Sequence, residues 1–340
     1  GYQNQLPEGS NCSFIGGGSC NIVCSDDGSI LGGFGNCVSG NQSSVVGGTL
    51  NTASSPCSFV GGGRSNKALG QCNDFIGGGN NNTITFQGAS SVIAGGSCNT
   101  ICTDYAAIVG GWCNTIPTAK GGSGFIGAGH NNRVGANASV VGGIFNTASA
   151  GCSFVGGGKG NKTIGVFSSV VGGTVNTASA DCSFIGGGEC NYVKDFRSSI
   201  VGGYNNVIDT SGKGGQFIGG GEDNISANFW SSVVGGQGNC VYSITSIIGG
   251  GEGNIIGLTG VDSPQNSFIG GGGGNCIGKG GDYSGILGGQ ANCIDGHDHS
   301  FIIGCNIDST TSKTTYMNNA TVACHLQVGG TTTMNSTTGR

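Results

Sequence analysis

The chain is short of charge. Asp, Glu, Lys and Arg make up 9% of its 340 residues, where a globular domain carries about 25%. The 12 Lys and Arg are spread thinly and the formal charge is −5, so no basic patch of the kind nucleic acid requires is evident. Proline occurs four times, with no three-residue glycine period, which excludes collagen. No run of 18 apolar residues exists, so no segment is expected to span a membrane as a helix. Good helix formers are displaced by Gly, Asn, Ser and Thr, which argues against a helical bundle.

Glycine, in contrast, supplies 76 residues, about three times the usual share, and it is periodic. An asparagine serves as the anchor of a repeat. It recurs 18 times from Asn21, Asn36 and Asn51 through to Asn292, and ten of the 17 spacings are 15 residues. Asn4 belongs to a partial first copy, and Asn306 closes a degenerate last one that has lost a glycine. Six residues before each anchor stands Ile or Val, in all 18 copies. Four and three residues before it stands Gly-Gly in 17 copies, the exception being Ala128-Gly129. Two residues after it the chain is usually apolar, with Thr163 and Ser226 as departures.

A 15-residue unit is too thin to hold a core alone. It has room for two short strands and two tight turns, and stacking such coils about 4.8 Å apart buries the Ile/Val column. The expected fold is all-β: a repetitive parallel β-roll, or β-solenoid, with coils of about 15 residues. About 20 coils make a rod of roughly 100 Å. Helical repeats need 33 residues or more and are excluded. Gly-Gly and Asn suit a corner where φ is positive or two backbones run close.

The residues flanking the invariant Ile/Val share the opposite face of that strand. In eight coils the earlier one is Phe and the later Gly, as in Phe59/Gly61 and Phe154/Gly156. In six the earlier is Ser and the later Leu or Val, as in Ser44/Val46 and Ser169/Val171. Bulk is exchanged, not added, which predicts that this face is also packed. A contact between chains accounts for it best, with a homotrimer as the simplest closed arrangement; a dimer and a second internal layer remain alternatives.

Three domains are expected: a cap or processed edge over 1–10, the repeat domain over 11–306, and a β-rich stem or linker over 307–340. Insertions lengthen three coils, over 116–124, 208–216 and 256–267. They fall on one edge of the rod, where solenoids often bind partners. A host receptor or glycan is expected there, together with exposed Tyr105, Trp112, Tyr204 and Trp230.

The unit from Ser43 to Gly70 resembles the head repeats of trimeric autotransporter (YadA-like) adhesins. Ser44-Val45-Val46-Gly47-Gly48 is similar to their S-V-A-I-G segment, and Asn51-Thr52-Ala53 to their A-x-A. The resemblance covers roughly 11–306 and implies a left-handed roll in a trimer, with no catalytic residues. The C-terminal segment from Ala320 to Arg340 is similar to linkers of phage and giant-virus tail-fibre proteins. In those, such a segment often precedes a trimerisation chaperone that cleaves itself off, and an end at Arg340 suits a mature fibre.

Seventeen cysteines follow the repeat. Cys98/Cys113 and Cys276/Cys293 occupy equivalent positions in adjacent coils and become neighbours, within disulfide reach if the Cβ geometry allows. Others, such as Cys57 and Cys240, read as small buried hydrophobes. Sequons occur at Asn11, Asn41, Asn81, Asn137, Asn161, Asn224, Asn319 and Asn335; Asn137 and Asn319 are the better candidates for modification. Asp26/Asp27 and Glu222/Asp223 are the closest acidic pairs and read as solvated turns. Asp295, His297, Asp298 and His299 lie close in sequence, and irregular polar loop is the default for them over a metal site. No catalytic, cofactor-binding or metal residues are assigned, and no cofactor.

These observations predict a structural fibre or shaft protein of a virion or phage surface that mediates attachment. The alternatives are a cellular trimeric surface adhesin or extracellular filament protein, and a tailspike glycan depolymerase. Expected partners are copies of the same chain and a host receptor or glycan, with no nucleic acid and no membrane span. The expected location is the virion surface or the extracellular space.

Overall fold

A computed structural model describes residues 1–85, 89–117, 122–209, 212, 214–258 and 263–318. Every strand pairing in it is parallel, with register advancing one repeat at a time, so that Ser139 faces Phe154 and Thr147 faces Lys162. Counting from the anchor, a first strand holds positions −7 and −6, as in Phe154–Val155, and a second holds +1 and +2, as in Lys162–Thr163. The first strands stack into one ladder and the second strands into another. Position −2 adds a third line of single bridges, running from Ser19 through Trp112 and His130 to Gln290. The chain is therefore the expected parallel β-solenoid of roughly 15-residue coils.

Inward side chains fill a narrow core. Position −6 is Ile or Val with no exposure from Ile30 onward, and position +2 closes on it from the second ladder, as Val38 and Ile101 do. Two further inward columns are polar. Serine stands at −8 in 12 of the 18 repeats, and Ser43, Ser168, Ser198 and Ser231 there are fully buried. The anchor asparagines are buried too.

The anchor works through its side chain. Asn161 Nδ2 donates to Gly157 O at 2.8 Å in its own coil and to Gly173 O at 2.8 Å in the next. Its Oδ1 accepts from the backbone N–H of Asn176 at 2.9 Å. Repetition makes a continuous amide ladder, which satisfies groups that burial would otherwise penalise. Of the two reasons the sequence offered for this corner, the asparagine answers to the close run of neighbouring backbones and not to a positive φ of its own. Left-handed backbone falls at −3, always glycine, and at −1, where Cys20, Leu50, Phe145 and Val175 adopt it. A Cβ on Gly173 at −3 would lie 2.1 Å from the carbonyl oxygen of Gly188. That glycine is required twice over, by its φ of 89° and by the neighbouring coil.

Both ends continue the pattern. Asn4 Oδ1 accepts from Asn21 N at 3.0 Å, as an anchor does. At the other end the anchor site is filled by Ile307, whose N–H reaches Asn292 Oδ1 at 3.2 Å. Asn306 takes the left-handed −1 corner instead, with φ 56°. The missing glycine shifts the coil by one residue, which corrects the expectation that Asn306 is the last anchor. A final strand, Thr315–Met317, pairs with Phe301–Ile303. Tyr316 packs against the end of the core there, and its Oη accepts the N–H groups of Thr310 and Thr311 at 2.8 and 2.7 Å. The tail segment from Ala320 to Arg340, with Cys324, and the sequons Asn319 and Asn335 lie outside the described residues, as do parts of all three insertions.

Candidate interaction surfaces

The outer face of the first ladder is the largest apolar feature of the surface. The exchange of bulk extends through the 18 repeats, with Ile247 before Gly249, Ala107 before Val109 and Gly285 before Leu287; only the closing coil carries bulk at both places, Phe301 and Ile303. Its first cause is local. The Phe154 ring lies over its own Gly156, where an added Cβ would come within 3.5 Å of the ring and 2.3 Å of Val171 O. The face is thereby kept level, yet nothing in the described chain covers it. Phe154, Phe184 and Phe217 remain 37–38% exposed, and Val141, Val171 and Val201 remain 49–52% exposed. The idea that a second internal layer buries this face is corrected. A 15-residue coil has no chain left to build one.

Beside this face runs a column of glycines with no reason inside the chain. Position −4 has ordinary φ in nearly every coil, and a Cβ built on Gly47, Gly110, Gly172 or Gly187 meets nothing within 4 Å. Intrachain packing would admit larger residues there, and Ala128 stands there in one coil. The repeat nevertheless keeps glycine in 17 of 18 copies.

The insertion edge carries the second candidate surface. A cleft of about 580 Å³ is lined by Asn228, Ile244, Ser263, Gln265, Lys279 and Asp282. Tyr105, Trp230 and Tyr283 sit on left-handed corners at −9 of this edge and are 58–69% exposed. Trp230 stacks on Phe229 at 4.6 Å, and Tyr283 on His299 at 5.1 Å. Trp112 and Tyr204 are exposed on the −2 line instead, so the four aromatics singled out from sequence divide between two edges.

The remaining sequence candidates are dispersed. His299 contacts Asp298 at 3.0 Å and His297 contacts Ser309 at 2.9 Å. Among the described residues no three of His, Cys, Asp or Glu gather as metal ligands would. Asp26 accepts from Asn11 and Asp223 from Asn205. Two buried acids, Asp74 and Asp195, went unnoticed in the sequence. Asp74 replaces the usual −8 serine; burial pushes its carboxyl up, opposed by donors from Ser55, Ser91 and Gly70. The break in the −8 serine column was the signal for Asp74.

The cysteines are free throughout the described residues. Cys276 and Cys293 face each other in register, as their spacing implied. The Cys293 thiol donates to Cys276, which lowers Cys276 and raises Cys293 relative to an ordinary thiol. Cys57, read from sequence as buried, is exposed, as are Cys12, Cys152 and Cys182. Position −9 is a left-handed corner that points the side chain to solvent, so the buried reading is corrected. Cys240 is only partly covered. Among the described residues no helix is long and apolar enough to cross a membrane.

The geometry defines an elongated, repetitive parallel β-solenoid of fibrous type, with an apolar face along its length and a polar cleft on one edge. No protein-family model matches the chain, and no curated protein matches it.

Proposed function

We propose that this chain is the shaft of a trimeric fibre on a virion or phage surface, and that it mediates attachment. The observation that carries the reading is the uncovered outer face of the first ladder. Nine phenylalanines lie along it. At roughly 200 Å² per ring, with about two-fifths exposed, they alone present on the order of 700 Å². A standard interface buries about 800 Å² per partner. The glycine column at −4 lets a neighbouring backbone approach this face closely. Three copies around one axis close such a seam and leave the insertion edge of each copy outside. Attachment to a receptor or glycan is assigned to that edge, where the cleft is polar and flanked by exposed aromatics. The similarity to autotransporter head repeats and tail-fibre linkers favours the same reading, and no catalytic role is assigned.

Substituting the column tests the seam. Gly172→Leu with Gly187→Leu places side chains in space that is empty within one chain. The expected result is a chain with unchanged circular dichroism that no longer assembles. Assembly equal to the parent would remove the seam from this face. A cellular adhesin or filament protein is the second reading. The precursor separates the two: a chaperone after Arg340 supports the fibre, and a signal peptide before Gly1 supports the adhesin.

A further inference from the structure

Charges on one side of the rod are sorted by sign along its length. The side is formed by positions −2, −1 and +1. They share one surface, because position −1 lines grooves with +1 on one flank, at Leu50, Ser65 and Lys67, and with −2 on the other, at Glu252 and Gly253. Its first charges are Arg64, Lys67, Arg133, Lys159 and Lys162, all basic. Its later ones are Glu189, Glu222, Asp223, Glu252 and, in the closing coil, Asp308, all acidic. All ten are exposed, and none joins an ion pair within the described chain.

We propose that this side docks a second copy of the chain, antiparallel, about a twofold axis through the coil of Asn176. The register follows from matching coils at equal distance from that axis. One coil away, Lys159 and Lys162 meet Glu189 of the other copy. Two coils away, Ile144 and Phe145 meet Tyr204. Three coils away, Arg133 meets Glu222 and Asp223. The isologous symmetry makes each of these contacts twice. Apolar residues thus face apolar ones: Ile144, Phe145 and Tyr204 are 41–52% exposed in the single chain. On the axis, Val175 meets its own copy.

Val175 is a second sign of this contact. It is β-branched, 51% exposed, and held at φ 56°. A valine in left-handed backbone is a rare and strained choice. Solvent exposure gives no reason for it, whereas an apolar contact on a symmetry axis does. The two parallel arrangements fit less well. In register, each lysine faces its own copy, and like charges oppose docking. Staggered by six coils, Arg133 meets Glu222 and Asp223 and Lys159 meets Glu252, but Arg64 and Lys67 face Lys159 and Lys162, and Ile144 and Phe145 face Gln237 and Gly238.

This contact uses positions other than those of the apolar seam and does not depend on it. Salt separates the two, because exposed charge pairs are screened within about 10 Å at 0.1 M and less at higher salt, whereas apolar burial is not weakened by salt. The experiment is sedimentation velocity at ~20 mM and ~500 mM NaCl, with low-salt electron microscopy of the particles. The expected result is that the low-salt particle is heavier than the high-salt one, a pair where the high-salt particle is one chain and a larger assembly where it is a trimer, which presents this side three times, with neighbouring rods antiparallel. Lys159→Glu with Lys162→Glu abolishes the gain in mass, and adding Glu189→Lys restores it. Circular dichroism verifies that these exposed substitutions leave the fold intact. Equal mass at both salts overturns the proposal, as do low-salt rods that lie parallel, which mark a staggered parallel array. A gain in mass that survives the lysine substitutions overturns it too. None of these outcomes bears on the seam, whose particle is the one seen at high salt.

Discussion

Asn161 bonds Gly157, Gly173 and Asn176 at once, so deleting its amide strands polar groups in two neighbouring coils as well as its own. Asn161→Ala is expected to cost about 3 kcal/mol in denaturant unfolding, at the upper end for an unsatisfied buried group. The two glycines at −4 and −3 behave oppositely in the single chain. Gly173→Ala drives a Cβ to 2.1 Å from Gly188 O and forces a side chain onto left-handed backbone, a loss on the order of 3 kcal/mol. Gly172→Ala meets nothing within 4 Å and is expected to shift stability by less than about 0.5 kcal/mol. Equal losses at the two positions would contradict this division of labour. In the sequence the two glycines look alike. Only the backbone dihedrals and the approach of the next coil separate the required one from the permitted one.

At the scale of the coil, the two-strand unit and its inward Ile/Val were legible, because a β-branched column at a fixed 15-residue spacing calls for short strands stacked coil on coil. The direction of the outer face was legible too. Its cause was not, since the packing of Phe154 over Gly156 depends on a rotamer that spacing does not reveal. The left-handed corners at −1 and −9 escaped notice because cysteine, tyrosine, valine and tryptophan fill them as often as glycine or asparagine do. Exposure of Cys57 and Cys182 follows from those corners. The closing coil makes a pH prediction. Partial burial works to raise the Tyr316 phenol, but the hydroxyls and then the N–H groups of Thr310 and Thr311 outweigh it and bring the group down to about 8. An unfolded tyrosine titrates near 10. Between these values the unfolded chain binds more protons, so the last coil gains stability as pH rises from 8 to 10 and loses that gain as pH falls back through 8. Spectrophotometric titration at 295 nm should show one early phenolate that Tyr316→Phe removes. A titration without an early phase would contradict it.

On the scale of the whole molecule, each coil touches only its neighbours, so rigidity comes from repetition and reach comes from coil number. Such a rod has surface to spare, and its sides are not equivalent. One side is apolar and level, one carries the insertions and the cleft, and one sorts its charges by sign. The first is assigned to a seam, the second to attachment and the third to pairing of rods. The sequence pointed to the first through the exchange of Phe and Val, and to the second through the insertions. The third was hidden because Arg64, Lys159, Glu189 and Glu252 look scattered until the coils are stacked. The most direct test of the central claim is the native mass of the particle at high salt, with and without reductant. Three chains of 33.3 kDa give about 100 kDa, and the seam predicts that mass in both conditions, because packing and not disulfides holds it. A single-chain mass at high salt would contradict it and leave the apolar face without a partner.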